Sequence, residues 1–198
     1  MTSHGAALRA ESREKIMAVA TRLFVAHGYD GISMREIAGA CGLSKPGLYY
    51  HFKDKEDLFL AILNSSLEEL GEITASASLV EGGVRAQVRA LVAAIFTRLA
   101  EDRRDVIRLA NSELGKLAPE NRQSFSEQYQ RRFITPVRAI LQAGVANRQV
   151  KPLNVDLAVW GLLGLMYPFL NPGHGGGPES ERVVDFIIAV FFEGVGCD

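Results

Sequence analysis

The chain has 198 residues, 47% of them hydrophobic and 23% charged, with a formal net charge of −1. That balance is ordinary for a globular protein and excludes bulk positive charge as the basis of any nucleic-acid binding. Its two cysteines, Cys41 and Cys197, stand far apart without a C-x-x-C partner, which excludes a disulfide framework and a cysteine zinc knot.

Charge is nevertheless unevenly spread. Residues 1–55 hold eight Lys and Arg against five Asp and Glu, a local charge of +3, so the remainder carries −4. A basic front end on an acidic body suits a chain that meets a polyanion at one end only. Residues 1–11 contain no apolar run to serve as a signal peptide and read as a flexible arm. The longest apolar stretch, Leu157–Leu170, suits a buried helix better than a membrane span. A cytoplasmic protein with no membrane partner is expected.

The elements that follow read as all-α. Ile16, Val19, Ala20, Leu23 and Phe24 recur at helical spacing, and Gly28 ends that first helix. Ser33-Met34-Arg35-Glu36 is a capping box that opens a short helix from Met34 to about Ala40. Cys41 falls on an apolar position and reads as a small buried thiol. Gly42 permits the positive φ of a tight turn. Ser44 then caps a third helix to about Phe52, and Asp54 caps a fourth from Lys55 to about Leu79.

Past Gly82–Gly83, amphipathic segments lie near 84–101, 104–115 and 120–147, and Pro136 should kink or split the last of these. Two more lie near 155–170 and 180–194. The Gly-rich stretch between them, Asn171–Pro178, neither follows a strand nor ends in Gly-Lys-Ser/Thr, so it is no phosphate cradle.

Residues 33–52 carry the chemistry. Two short helices meet at Gly42, Ala38 is small where they approach, and Ile37, Leu43 and Leu48 supply a miniature core. This is the spacing of a helix-turn-helix, whose second helix enters the DNA major groove. On a helical wheel Leu48 and Phe52 point inward, while Lys45, Pro46, Gly47, Tyr49 and Tyr50 face out with His51 at the edge. Lysines and tyrosine hydroxyls suit phosphates. Ring and proline surfaces suit thymine methyls, and Gly47 lets the backbone come close. Ser33, Arg35, Ser44, Lys53 and Lys55 complete the candidate DNA contacts, the two serines through unpaired amides at their helix starts.

Ile16–Ile62 resembles the DNA-binding domain of the TetR family of bacterial transcriptional regulators. The most specific part is Gly42-Leu43-Ser44-Lys45-Pro46-Gly47-Leu48-Tyr49-Tyr50-His51-Phe52, followed by Lys55 and Leu58. The departures are Cys41, where Ala is usual, and Ser33 for the commoner Thr. The resemblance implies a helix-turn-helix domain at 12–55 and a larger helical ligand-binding and dimerisation domain at 56–198. It also implies repression of transcription, relieved by a small-molecule effector.

In Val183–Phe192 apolar residues occupy nearly every helical face, and Leu157–Leu170 behaves likewise, with Ala158, Gly161 and Gly164 allowing close contact. Such helices need burial on all sides. A homodimer built from the last two helices, about 155–170 and 180–194, supplies it, and a two-fold dimer reads an inverted-repeat, double-stranded operator. The alternative is an unusually deep monomer core.

Candidate ligand-lining residues are Phe96, Leu99, Ile107, Leu114, Phe125, Tyr129 and Phe133, with Trp160, Met166 and Tyr167 closing one side. Only the resemblance argues for a cavity there, and it loosely favours a hydrophobic acyl-CoA thioester. Arg98, Arg103, Arg104, Arg108, Arg131 and Arg132 are candidates for an anionic group, against the default of a solvated helix surface. The ligand is expected to move the fourth helix, in which Gly71 is either a flexible point or a packing accommodation.

His4, His27, His51 and His174 form no metal-ligand pattern, and no nucleophile motif appears, so no catalytic residue, metal or cofactor is expected. The rival reading is a helical ligand-binding or protein-interaction module without operator binding.

Overall fold

The computed structural model of the chain describes residues 3–97, 101–170 and 179–195, excluding the side chains of 3–6, 101–103, Glu179 and Val195. Arg98, Leu99, the Gly-rich stretch 171–178 and Cys197 lie outside the described residues, as does the side chain of Arg103. The described chain is helical: α1 (Ser3–His27), α2 (Met34–Ala40), α3 (Lys45–His51), α4 (Lys55–Ser78), α5 (Gly83–Thr97), α6 (Glu101–Glu113), α7 (Pro119–Tyr129), α8 (Thr135–Ala146), α9 (Val155–Met166) and α10 (Glu179–Val195). Short 3-10 turns follow α6 at Leu114–Lys116 and α9 at Tyr167–Leu170. No helix of the described residues is long and apolar enough to cross a membrane.

The chain divides into two compact units, and the division does not follow chain order. The first comprises residues up to Ser66 together with Val106–Phe125; the second comprises Leu67–Asp105 and the chain from Ser126 onward. The helix-turn-helix unit therefore reaches beyond the boundary at residue 55 read from sequence. Helices α4, α6 and α7 each have one end in either unit.

In the first unit Ile16, Ala20 and Phe24 of α1 are buried with Ile37 and Ala38 of α2, Leu48 of α3, Phe52, and Leu58, Phe59 and Ile62 of α4. The rings of Phe24, Tyr29 and Phe59 lie 5.0–5.9 Å apart. Helix α1 begins at Ser3, so residues 3–11 form its first turns rather than a flexible arm. Ala7, Leu8, Arg9 and Ala10 are among the strongest helix formers, and Glu11 and Lys15 pair one turn apart at 2.6 Å.

The second unit is joined by close fit. Helix α5 packs on α8 and α10, and α9 on α8 and α10. A Cβ placed on Gly144 would stand 2.9 Å from the Val84 side chain, so α5 and α8 approach as closely as glycine allows. The Gln149 carboxamide accepts from the Val84 amide at 3.0 Å, capping α5, and it fills the space a Cβ on Gly83 would need. Helix α8 ends in a Schellman turn, in which the Gln149 amide donates to Gly144 O (2.8 Å) and the Arg148 amide to Val145 O (3.1 Å). Arg148 occupies the left-handed position there at φ 58°.

Pro136 stands in the first turn of α8, where the long segment read from sequence divides into α7 and α8. Lacking an N–H, it cannot donate to the Arg132 carbonyl four residues back, and the chain absorbs this as a π turn over Gln130–Ile134 between α7 and α8. A Cβ on Gly71 of α4 would meet that same Arg132 carbonyl at 3.5 Å, an ordinary contact. Close packing therefore does not by itself require glycine at position 71.

Candidate nucleic-acid interface

The turn between α2 and α3 is built by backbone bonds. The Leu43 amide donates to Ala38 O at 2.9 Å and the Gly42 amide to Gly39 O at 3.1 Å, a Schellman turn that requires the left-handed Gly42 at φ +66°. Helix α2 opens on the expected capping box: the Glu36 amide donates to Ser33 Oγ (3.3 Å), and the Glu36 carboxylate accepts from the Ser33 amide (2.9 Å). The bonds from Ser33 hold the Glu36 carboxyl below the usual carboxylate range. These bonds correct one expectation, because the Ser33 amide is already occupied. Ser44 Oγ likewise accepts from the Gly47 amide at 3.2 Å.

Helix α3 is divided as its wheel requires. Leu48 and Phe52 are fully buried, whereas Lys45, Pro46 and Tyr49 are exposed and Tyr50 keeps 63% of its surface. Lys45 Nζ lies 5.7 Å over the Tyr49 ring. Gly47 and His51 are half-buried; Ser33, Arg35, Ser44 and Lys53 are exposed. Leu43 is half-exposed and contributes less to the miniature core than Ile37 and Leu48, because it sits at the turn instead of on a helix face.

Two residues from α1 meet the far end of α3. Arg13 donates to the His51 carbonyl at 2.7 Å and lies 4.0 Å over the Phe52 ring, which satisfies a terminal carbonyl and places positive charge at the negative end of the helix. Arg9 lies 4.7 Å over the Tyr50 ring, which meets His51 edge-on at 5.1 Å. Burial, followed by the Arg9 and Arg13 charges, holds the His51 imidazole below its ordinary value. The free chain therefore favours the uncharged imidazole at neutral pH.

Lys55 is a correction. Its ammonium donates to Tyr29 O (2.8 Å) and Ile32 O (3.2 Å) and lies 4.4 Å over the Tyr29 ring. It braces the α1–α2 turn instead of waiting for a phosphate. The same turn is held from the other side. Glu113 accepts from the Tyr29 amide at 3.0 Å, and Lys116 bridges Asp30 (2.8 Å) and Glu113 (2.9 Å). Glu56 accepts from the Ala118 amide and the Asn121 carboxamide, both at 2.8 Å. Burial, followed by the charges of Glu56, Asp54 and Asp30, pushes the Tyr29 phenol up to about 12. Sequence reading missed Arg9, Arg13, Glu113 and Lys116, because each acts on residues 38 to 86 positions away.

The ligand-lining candidates fare unevenly. Phe96, Phe133 and Met166 are buried in the second unit, Phe125 in the first, and Ile107 and Leu114 are half-buried. Tyr129 and Phe133 are brought together, ring centroids 5.6 Å apart, and burial pushes the Tyr129 phenol up to about 12. Trp160 and Tyr167 are corrections: both are exposed, Trp160 by 51% on α9, which also exposes Leu157, Gly161 and Gly164, and Tyr167 in the 3-10 turn that follows. Phe186 and Val190 form a matching exposed pair on α10. Of the arginines, Arg132 faces Glu68 at 3.4 Å, Arg104 donates to Phe96 O at 3.4 Å, and Arg131 is exposed. Cys41 is half-buried, and burial raises its thiol.

Residues 16–62 match the model for bacterial regulatory proteins of the tetR family, and residues 81–172 match that for the tetracyclin repressor-like C-terminal domain. The HTH-type transcriptional repressor AcnR of Corynebacterium glutamicum is 39% identical over 70 residues, covering 35% of this chain and 37% of that repressor. That alignment thus spans little more than a third of the relative's length. A bacterial regulatory protein in the tetR family from Rhodococcus RHA1 superposes with a TM-score of 0.81 at 23% identity, over 94% of this chain and 98% of that one. AibR, solved with isovaleryl coenzyme A and operator DNA, superposes with a TM-score of 0.75 at 23% identity, over 90% of this chain and 97% of that one.

Proposed function

The chain belongs to the tetR family of bacterial regulatory proteins, and from that premise we propose that it is a cytoplasmic transcriptional repressor. It binds an inverted-repeat operator as a homodimer and leaves it when a small hydrophobic effector binds. The observation that carries this reading is the division of α3: Leu48 and Phe52 anchor the helix, and Lys45, Pro46, Tyr49 and Tyr50 are left facing outward. A short helix held down by two residues and exposing a lysine and two phenols fits the major groove. Ser33, Arg35, Ser44, Gly47, His51 and Lys53 flank that surface.

The partner subunit is a second copy of this chain. Leu157, Trp160 and Tyr167 of α9 and its 3-10 turn, with Phe186 and Val190 of α10, leave an apolar face uncovered in the single chain, with Gly161 and Gly164 allowing close approach. The effector is of the acyl-CoA thioester class, the first to test because AibR was solved with such a molecule. Helices α4, α6 and α7 run from one unit into the other, so a ligand that displaces them in the second unit acts on the α1–α2 turn through Glu113, Lys116 and Glu56. Moving that turn changes the separation of two recognition helices and spoils simultaneous contact with both half-sites.

The test is enrichment of duplexes from a random-sequence library by the purified protein, followed by affinity measurement across salt. A palindromic consensus is expected, with affinity falling steeply as salt rises. Lys45→Ala and Tyr50→Ala should weaken it without lowering the melting temperature, and Trp160→Asp should give a folded monomer that no longer binds. If no duplex is enriched, a helical module without operator binding is the correct reading.

A further inference from the structure

We propose that Arg9 is a DNA-contacting residue, acting with Tyr50 as one unit that grips a backbone phosphate at the far edge of the half-site. The inference rests on the DNA-binding reading above. It names a contact outside the helix-turn-helix, contributed by the second turn of α1.

The two arginines of this face, Arg9 and Arg13, lie one helical turn apart and are used differently. Arg13 is committed: it bonds the His51 carbonyl and covers the Phe52 ring. Arg9 is exposed and stacks on the Tyr50 ring at 4.7 Å. Among the described residues, no hydrogen bond or ion pair occupies its guanidinium. The ring restrains the guanidinium without taking up its donors, and a guanidinium with unpaired donors suits a tetrahedral oxyanion. The same stack restrains the Tyr50 ring, which keeps most of its surface exposed.

Position decides between phosphate and base. The N-terminal residues of a recognition helix reach base edges, while groups beside it meet the sugar–phosphate backbone. Tyr50 lies one residue before the last of α3, and Arg9 comes from a different helix at that end. Arg9 therefore flanks the groove rather than entering it. A phosphate contact positions the protein and carries no sequence information of its own.

The experiment uses the full chain and the duplex that the wild-type protein enriches from a random-sequence library. Arg9→Ala should weaken binding roughly tenfold and lower the salt slope by about one, with circular dichroism and melting unchanged. The loss should be equal on duplexes mutated at single base pairs. Arg9→Lys should restore the slope but only part of the affinity, because a lysine keeps the charge and loses the planar stack. In a double-mutant cycle Tyr50→Ala should cost less in the Arg9→Ala background than in wild type. Unchanged affinity and slope in Arg9→Ala would overturn the proposal while leaving operator binding in place. A loss confined to particular base pairs would overturn the phosphate assignment, and strict additivity with Tyr50→Ala would overturn the pairing. Failure of the wild-type protein to enrich any duplex sinks the underlying reading and this one together.

Discussion

The two units of this chain are held together by different means. In the first, polar groups with fixed partners set the geometry: a capping box at Ser33–Glu36, a left-handed Gly42, and a turn at Tyr29–Ile32 gripped by Lys55, Glu113 and Lys116. In the second, close steric contacts recur, Gly144 against Val84 and Gly83 against Gln149, and the polar links between helices are largely exposed ion pairs, Arg89 with Asp185 between α5 and α10 and Arg138 with Asp156 between α8 and α9. Directional bonds tolerate little rearrangement before they are lost, whereas apolar contacts slide at smaller cost. The difference places directional bonds with fixed partners in the unit that carries the helix-turn-helix and close steric contacts in the other.

The sharpest way to break this contrast is Gly31→Ala. A Cβ there would lie 2.1 Å from the His27 carbonyl, a backbone atom that cannot yield without moving the turn. The variant should lose about 3 kcal/mol in chemical denaturation and should lose DNA binding with it. Gly144→Ala probes the second unit by a similar intrusion, but the atoms it meets belong to the Val84 side chain. Overpacking of about 2 kcal/mol is expected, read as a lower denaturation midpoint with the salt dependence of DNA binding unchanged. Equal losses of binding in both variants would erase the distinction between the units.

A smaller effect should come from the polar brace. Hydrogen bonds from Lys116 hold both the Glu113 and Asp30 carboxyls below their ordinary range, and the Tyr29 amide adds to the effect on Glu113. A depressed folded pKa contributes stability that is present above the unfolded value, 4.5 for Glu113 and 3.8 for Asp30, and is lost as pH falls through the folded value. Acidification below that point should therefore loosen the first unit. Lys116→Met should flatten this dependence, as read from the denaturation midpoint between pH 3 and pH 6. The smallest effect expected is a gain: Arg148 holds a left-handed φ of 58°, and Arg148→Gly should stabilise the chain by about 1 kcal/mol.

What the sequence disclosed follows the same divide. Caps, glycine turns and the burial of Leu48 and Phe52 depend on residues within one turn of each other, so the sequence alone places Ser33, Gly42, Ser44 and Asp54. Lys55 was misread as a phosphate contact because its acceptors, the Tyr29 and Ile32 carbonyls, lie 26 and 23 residues away. Trp160 and Tyr167 were misread because an apolar residue on an apolar helix carries no sign of which face the rest of the chain leaves exposed. The π turn before Pro136 was beyond reach for another reason: proline removes one donor but does not specify how the helix compensates. Arg9 looked like part of an arm, and only its place above Tyr50 gives it a role.

The first unit is not a continuous stretch of polypeptide, since Val106–Phe125 belongs to it as much as the opening 66 residues do. A fragment cut after α4 would keep every motif of the helix-turn-helix yet leave the Tyr29 amide without Glu113, Asp30 without Lys116, and Glu56 without the Ala118 amide and Asn121. The reading head cannot be lifted out as a cassette. Its turn is completed by chain that follows α5, so any shuffling that exchanged the carboxy-terminal half would have to bring matching partners for these three residues along with it.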